Sequence, residues 1–183
     1  MWKTNCERDI FSHQSHPRPY QCTLWQKRMV QDYHHINQWT IKNRYLLSLI
    51  ADILDRVRKK EVFTKFDLQW GYNNMRIKKG DEWKAVFTTH IRAYKPTVMY
   101  FGLTNSPTTF QTMINDLFCN MINQGNTETF IDNIIVTTET EEGHDELVEE
   151  VLIRLEQNDL FVKPKKCQWR VWEVEFLGVV IGP

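Results

Sequence analysis

The sequence predicts an α+β fold in which an antiparallel sheet is backed by two amphipathic helices. Three stretches carry that expectation. In Thr129-Phe130-Ile131-Asp132-Asn133-Ile134-Ile135-Val136, apolar β-branched runs flank one polar pair, which reads as a β-hairpin with Asp132-Asn133 at or near its tip. Ahead of it, Ser106-Pro107 reads as an N-cap followed by proline at the first helical position. Phe110, Met113, Ile114, Leu117, Phe118 and Met121 then mark one continuous apolar face, read as core. Behind the hairpin, Leu147, Val148, Val151, Leu152 and Leu155 mark a second helix that begins at about Glu141. Its acids (Glu141, Glu142, Asp145, Glu146, Glu149 and Glu150) lie mostly in the early turns, where the helix dipole favours them.

At 183 residues, with 42% hydrophobic and 13% aromatic content, the chain can form one domain with a sizeable core or a fragment of something larger. No apolar run approaches a membrane span, and the N-terminus lacks a signal-peptide core. An intracellular protein without a membrane partner is therefore expected. Cys6, Cys22, Cys119 and Cys167 show no CxxC spacing and read as free thiols of a reducing compartment. The formal net charge of zero argues against nucleic-acid binding by bulk charge and leaves local patches to do it.

Taken in order, residues 1–25 are polar and irregular and read as a disordered leader, with the organised domain expected over 26–183. Cys6, His13, His16 and Cys22 match no common zinc-finger spacing. Lys27 to Tyr33 reads as a strand with cations at its start. Ser48 caps a helix whose Ile50, Ile53, Leu54 and Val57 fall at i, i+3, i+4 and i+7. That helix ends in Arg56, Arg58, Lys59 and Lys60, a cluster that complements the dipole and needs no ligand to explain it. Val62 to Leu68 alternates as a strand and delivers Asp67 near its end. Strand-like pieces follow around Met75–Ile77, Ala85–Thr88 and Thr97–Phe101, with Lys78-Lys79-Gly80-Asp81 as a turn. The chain closes with Lys163-Pro164-Lys165-Lys166 and a strand or hairpin over Val174–Ile181.

An acid at the end of one strand and another at a hairpin tip suggest two elements meeting side by side in one sheet. Such a pair could hold two divalent cations for in-line phosphoryl transfer to a sugar hydroxyl. Mg²⁺ takes one or two protein carboxylates and completes its octahedron with phosphate oxygens and water.

Several blocks then occur in order: Phe63-Thr64-Lys65-Phe66-Asp67-Leu68, Gly71-Tyr72-Asn73-Asn74, Phe101-Gly102-Leu103-Thr104-Asn105-Ser106-Pro107, Phe110-Gln111, Phe130-Ile131-Asp132-Asn133 and Phe176-Leu177-Gly178. From about Gln26 to Pro183 the chain resembles the reverse transcriptase of gypsy-like long-terminal-repeat retrotransposons. The resemblance implies a right-hand polymerase, with this chain supplying part of the fingers and most of the palm. It implies Mg²⁺, or Mn²⁺ in its place, a primer on an RNA or DNA template, and deoxynucleoside triphosphates. Asp67 and Asp132 look like the metal-binding aspartates, and Tyr72 like the aromatic residue beneath the incoming sugar. Arg28 resembles the fingers arginine on the triphosphate, a task suited to a planar, permanently charged fork. Phe101 and Gly102 match the block lining the nucleotide and template pocket, and Leu177-Gly178 looks like the primer grip. The implied location is the cytoplasm, in a retrotransposon particle where one assembles. The sequence sets no oligomeric state.

The departures carry weight too. Asn133 stands where the family has its second turn aspartate, keeping one ligating oxygen and losing the charge. Thr89-His90-Ile91-Arg92 replaces a Thr-Pro-aromatic-Gly-like turn with residues that are poor turn formers, and Tyr45-Leu46-Leu47-Ser48 replaces a Tyr-Pro-Leu-Pro run. The leader does not resemble the fingers strands expected before Gln26, nor their lysine-bearing loop. The end at Pro183 leaves out thumb, connection, RNase H and integrase regions. These features predict severely impaired catalysis in a truncated, decaying copy. The alternative is a non-catalytic relic that binds nucleic acid through the Arg56–Lys65 and Lys163–Arg170 patches.

Overall fold

The computed structural model describes residues 20–25, 28–45 and 49–182, with side chains described from Gln31 onward. Most of the expected leader and the expected Ser48 cap lie outside the described residues. In chain order the elements are β1 (Tyr20–Trp25), β2 (Arg28–Gln31), α1 (His34–Trp39), α2 (Ile50–Val57), β3 (Val62–Asp67), β4 (Phe87–Thr88), β5 (Ala93–Tyr94), α3 (Ser106–Asn123), β6 (Thr127–Phe130), β7 (Asn133–Thr138), α4 (His144–Gln157), β8 (Gln168–Val171), β9 (Val174–Phe176) and β10 (Val179–Ile181). They fall into two units. One takes the described residues up to Asn43 together with Tyr72–Ser106, and the other takes Arg44–Gly71 and the chain from Pro107 on. No described helix is long and apolar enough to cross a membrane.

The first unit holds a four-stranded sheet in the order β2-β1-β4-β5, parallel between β1 and β4 and antiparallel elsewhere. β1 takes the last six residues of the expected leader into this sheet, so regular structure begins well before residue 26. The Thr89–Arg92 segment also departs from expectation, because it does turn. Thr89 accepts the Ile91 and Arg92 amides on its hydroxyl at 3.2 and 3.3 Å, and its own N–H donates to the Arg92 carbonyl at 2.9 Å. A threonine side chain here supplies what proline and glycine would otherwise supply. Of the strand-like pieces, Met75–Ile77 and Thr97–Phe101 meet only through a bridge between Arg76 and Val98, and Ala85 closes a 3₁₀ turn.

The second unit is built on an antiparallel sheet in the order β6-β7-β3-β8. Alternation sends Phe63, Ile135 and Glu128 to one face and Thr64, Val136 and Thr129 to the other. On the first face Ile53, Leu54 and Val57 of α2 pack with Phe63, Ile135 and with Val174, Phe176 and Ile181 of the β9–β10 hairpin. Each fully buried side chain of this cluster is worth about 1.5–3 kcal/mol. Arg56 adds a two-armed ion pair to the nearly buried Glu128, at 2.5 and 2.8 Å. The second face takes α3 and α4. Phe110, Ile114, Phe118 and Met121 of α3 are buried, as their helical spacing predicts, while Met113 and Leu117 of the expected face are half-buried. With both faces covered, Ile134-Ile135-Val136 is an unbroken buried run instead of an alternating one.

α4 starts at His144, with Gly143 preceding it at φ 74°, so Glu141 and Glu142 lie before the helix and only Asp145 and Glu146 occupy its first turn. His144 is fully buried. The Thr138 hydroxyl donates to the Thr140 carbonyl at 2.7 Å, so its oxygen accepts from His144 Nδ1–H at 2.8 Å. Thr64 accepts the Arg170 amide at 3.1 Å and donates its proton to His144 Nε2 at 2.8 Å. With the Thr138 proton spent on Thr140, Nδ1 must carry a hydrogen, and a neutral imidazole with a bare Nε2 lets each group donate and accept in turn. Arg170 lies at a register shift between β3 and β8 with φ 45°, so the Thr64 hydroxyl takes up an amide that the bulge removes from the ladder.

Candidate active site

β3 and β7 pair so that Asp67 lies opposite Asn133, and β6 pairs with β7 so that Phe130 also lies opposite Asn133. The two residues of the hairpin turn are therefore Ile131 and Asp132. Asp132 thus lies in the tip and Asn133 directly after it, opening β7. Ile131 has φ 52°, a costly conformation for a β-branched residue. Two hydrogen bonds hold the turn. The Asp132 carbonyl accepts the Leu68 amide at 2.8 Å, and the Ile131 amide donates to Gln111 Oε1 of α3 at 2.6 Å.

The structure thus brings Asp67, Asp132 and Asn133 together at one end of the sheet. Asp132 Oδ1 is buried there with no hydrogen-bond partner. Burial pushes the Asp132 carboxyl above its ordinary value; the Lys163 ammonium opposes this and the Asp67 carboxylate adds to it. Room for Asp132 comes from Gly71. A Cβ there would overlap Asp132 Oδ1 and would lie 3.0 and 3.1 Å from Cζ and Cε1 of Phe110.

Lys163, read in the sequence as part of a basic patch, faces Asp67, a pairing that sequence reasoning did not find. Its segment continues alongside β3, with Leu68 bridged to Val162 and the Lys163 amide donating to the Asp67 carbonyl at 2.8 Å. Its ammonium reaches Asp67 Oδ1 at 2.5 Å and the Leu68 carbonyl at 2.8 Å. Lys166 lies 3.5 Å from Asp67 Oδ2. Among the described residues no group of three or more His, Cys, Asp or Glu side chains could hold a metal ion. A cation at this site would rest on two carboxylates, a protein share that Mg²⁺ accepts. A bare, buried anionic oxygen on Asp132 and an Asp67 already sought by cations make the donor set chemically suitable.

The remaining candidate residues are divided between the two units. In the first unit the buried Tyr72 ring meets the exposed Phe101 ring edge-on at 4.9 Å. Gly102 has φ 102°, and its carbonyl accepts from Asn37 Nδ2 at 2.7 Å. Arg28 stands opposite Trp25 in the β1–β2 pairing, and its side chain lies outside the described residues. In the second unit Leu177-Gly178 form the two-residue turn between β9 and β10, both at positive φ, the type I′ pattern.

The basic patches are largely ion-paired. A cavity of about 640 Å³ is lined by Asp55, Arg56, Arg58, Lys59, Lys60, Gly125 and Glu139. Within it Arg56 is held by Glu128, Arg58 lies 3.7 Å from Asp55, and Lys60 is 3.1 Å from Glu139. Arg170 pairs with Asp145.

A strand-borne aspartate thus stands beside a tight turn that carries a second one, on an antiparallel sheet flanked by helices. The chain belongs to the reverse transcriptase (RNA-dependent DNA polymerase) family, whose signature matches residues 14–181. More narrowly, it is a reverse transcriptase domain of the retrotransposon polyprotein kind. It is 32% identical over 155 residues to the Transposon Tf2-7 polyprotein of Schizosaccharomyces pombe, a match covering 85% of this chain and 12% of that polyprotein. The chain therefore spans about an eighth of the length of the curated relatives it matches. Among solved structures it is similar to the foamy viral protease-reverse transcriptase in complex with an RNA/DNA hybrid, with a TM-score of 0.80 and 27% identity over 90% of this chain and 22% of that one. Against the same type of protein in complex with double-stranded DNA the TM-score is 0.81, with 26% identity over 94% of this chain and 36% of that one. These neighbours make the described architecture one of fingers and palm.

Proposed function

We propose that this chain carries the nucleotidyl-transfer centre of an RNA-directed DNA polymerase, extending a primer 3′-hydroxyl with deoxynucleoside triphosphates on an RNA or DNA template. The observation that carries the reading is the junction of Asp67 with the Ile131–Asp132 turn, where a buried carboxylate oxygen has no partner. Asp67 and Asp132 would hold divalent cations, Mg²⁺ or Mn²⁺, which when bound stabilise charge on the transferring phosphoryl group and lower the pKa of the attacking hydroxyl. Asp132 serves this purpose because its turn is fixed on both sides. Gly71, lacking a Cβ, leaves room for the carboxylate to lie close against the backbone. Arg28, Tyr72, Phe101 and Gly102 are assigned to the nucleotide and Leu177-Gly178 to the primer, in an intracellular particle.

Asn133 is assigned to the position where a second turn carboxylate would contribute charge. At ~4 Å from a dication, one unit charge is worth several kcal/mol gross at an effective dielectric of about 20. Desolvation reduces the net figure, and a rate loss of about two orders of magnitude or more follows. A second reading, nucleic-acid binding without catalysis, is favoured by Asn133 together with the two lysines already drawn to Asp67.

Primer extension on an RNA template with Mg²⁺ separates the two. The full chain is grafted onto a homologous thumb and run beside Asn133→Asp and Asp67→Ala versions. Weak extension in the native graft, raised at least tenfold by Asn133→Asp and abolished by Asp67→Ala, is the expected result. Silence in all three, with salt-sensitive binding of primer–template, would leave the second reading standing.

A further inference from the structure

We infer that Gln111 is a positioning residue for the carboxylate-bearing turn, setting where Asp132 presents its oxygens; this rests on the proposed role of Asp132 in holding a cation. Gln111 sits on α3 and is 3% exposed. Its Oε1 accepts the Ile131 amide at 2.6 Å. Its Nε2 donates to Asn115 Oδ1 at 2.7 Å, and on its other side faces Thr129 Oγ1 at 3.0 Å and the Thr129 carbonyl at 3.3 Å. Thr129 Oγ1 itself donates to Asn115 Oδ1 at 2.7 Å, and Asn115 Nδ2 reaches the Tyr45 hydroxyl at 2.8 Å. A backbone amide can only donate, so the oxygen of Gln111 must face Ile131 and its nitrogen must face Asn115. The amide has one orientation.

This matters because Ile131 is the residue that would leave its conformation most readily. A β-branched residue at φ 52° is strained and keeps that conformation only where its surroundings over-determine it. The Leu68 amide fixes the Asp132 carbonyl from the sheet side, and Gln111 fixes the Ile131 amide from the helix side. Without Gln111 the peptide ahead of Asp132 is free to rotate toward a relaxed conformation, carrying the carboxylate with it. Phe110, the preceding residue, lies against Gly71 beneath Asp132, so one turn of α3 sets both the floor and the orientation of the turn. Asn115, one helical turn on, buttresses Gln111 and ties it to Tyr45.

The test uses the full chain and Mn²⁺ alone, titrated and read by water-proton relaxation, with urea denaturation beside it. The variants are Gln111→Met, Thr129→Val, Asp132→Ala and the α4 core variant Val151→Ala. Gln111→Met should weaken Mn²⁺ binding at least fivefold, and Thr129→Val two- to threefold. Val151→Ala, destabilised to a similar degree, should bind Mn²⁺ as the native chain does. Gln111→Met binding Mn²⁺ normally while Asp132→Ala does not would overturn the inference and keep the cation site. Unchanged binding in Asp132→Ala would instead remove the cation reading on which the inference rests. Should Gln111→Met not fold, Thr129→Val decides the matter alone, native-like affinity overturning the inference.

Discussion

Acid should weaken the second unit through His144. Burial holds this imidazole below its ordinary value of 6.5; the Asp145 carboxylate opposes the shift and the Arg170 guanidinium adds to it. The hydroxyls suit the neutral ring, whose bare Nε2 accepts the Thr64 proton while Nδ1–H donates to Thr138. In the unfolded chain the ring takes up a proton below about 6.5, whereas in the folded chain it does so only at lower pH. The unfolded state therefore binds more protons in that window, and stability falls as pH falls through it. The contribution is complete only well above pH 6.5. At pH 5.5 the linkage amounts to at most about 1.4 kcal/mol, some 3–5 °C in Tm for a chain of this size. Asp132 runs in the reverse direction: its raised carboxyl takes up a proton more readily when folded, favouring the native state as pH drops toward 3.8. A variant comparison cancels that contribution. Urea unfolding of native chain and His144→Gln at pH 7.5, 6.5 and 5.5 is the assay. The native chain should lose stability relative to the variant at each step down. Parallel curves for the two would refute the neutral-imidazole reasoning.

Three further outcomes follow from the same geometry. Gly71→Ala forces a methyl group into Asp132 Oδ1 and the Phe110 ring, and should lower stability by about 1–3 kcal/mol in urea titrations while abolishing primer extension in the graft. Lys163→Met removes the ammonium from Asp67, so Mn²⁺ affinity measured by relaxation should rise severalfold even as the apo chain loses about 1 kcal/mol. Arg56→Met strands the nearly buried Glu128 carboxylate without its two-armed partner and should cost about 2–3 kcal/mol at neutral pH, with recovery in the double variant Arg56→Met/Glu128→Gln.

What the sequence made legible depended on whether periodicity or tertiary contact decided the outcome. α3 and the strands β3 and β7 were readable because a 3.6-residue spacing and a dense β-branched run leave few alternatives. The hairpin was legible with Asp132-Asn133 at or near its tip, but the sequence did not show that the turn pair is Ile131-Asp132, because Gln111 and Leu68 hold that turn in a conformation the propensity of Ile131 opposes. α1 shows no apolar stripe, and none of its residues is buried, so nothing announced it. The start of α4 was misplaced because its acids begin before Gly143 ends the loop. At the site, the two aspartates could be picked out by motif. Lys163 and His144 could not, since a lone lysine or histidine carries no local signal of what it will meet across a sheet. Gln111 and Gly71 stood inside quoted motifs, where the only clue was a polar residue on an otherwise apolar helix face and a glycine between two aromatic-bearing segments.

The position of β3 in the middle of its sheet has a consequence during synthesis. Val62, Phe63 and Phe66 leave the ribosome well ahead of their partners, since β7, on one side, follows only about seventy residues later, and β8, on the other, more than a hundred residues later. At roughly 5–20 residues per second the strand waits several seconds for its first neighbour and up to about 20 s for its second. Through that interval it is an unpaired apolar edge in a crowded cell, the kind of segment that recruits other nascent chains. Translation speed and chaperone supply between codons 67 and 171 should therefore govern the yield of soluble protein more strongly than the equilibrium stability of the finished fold.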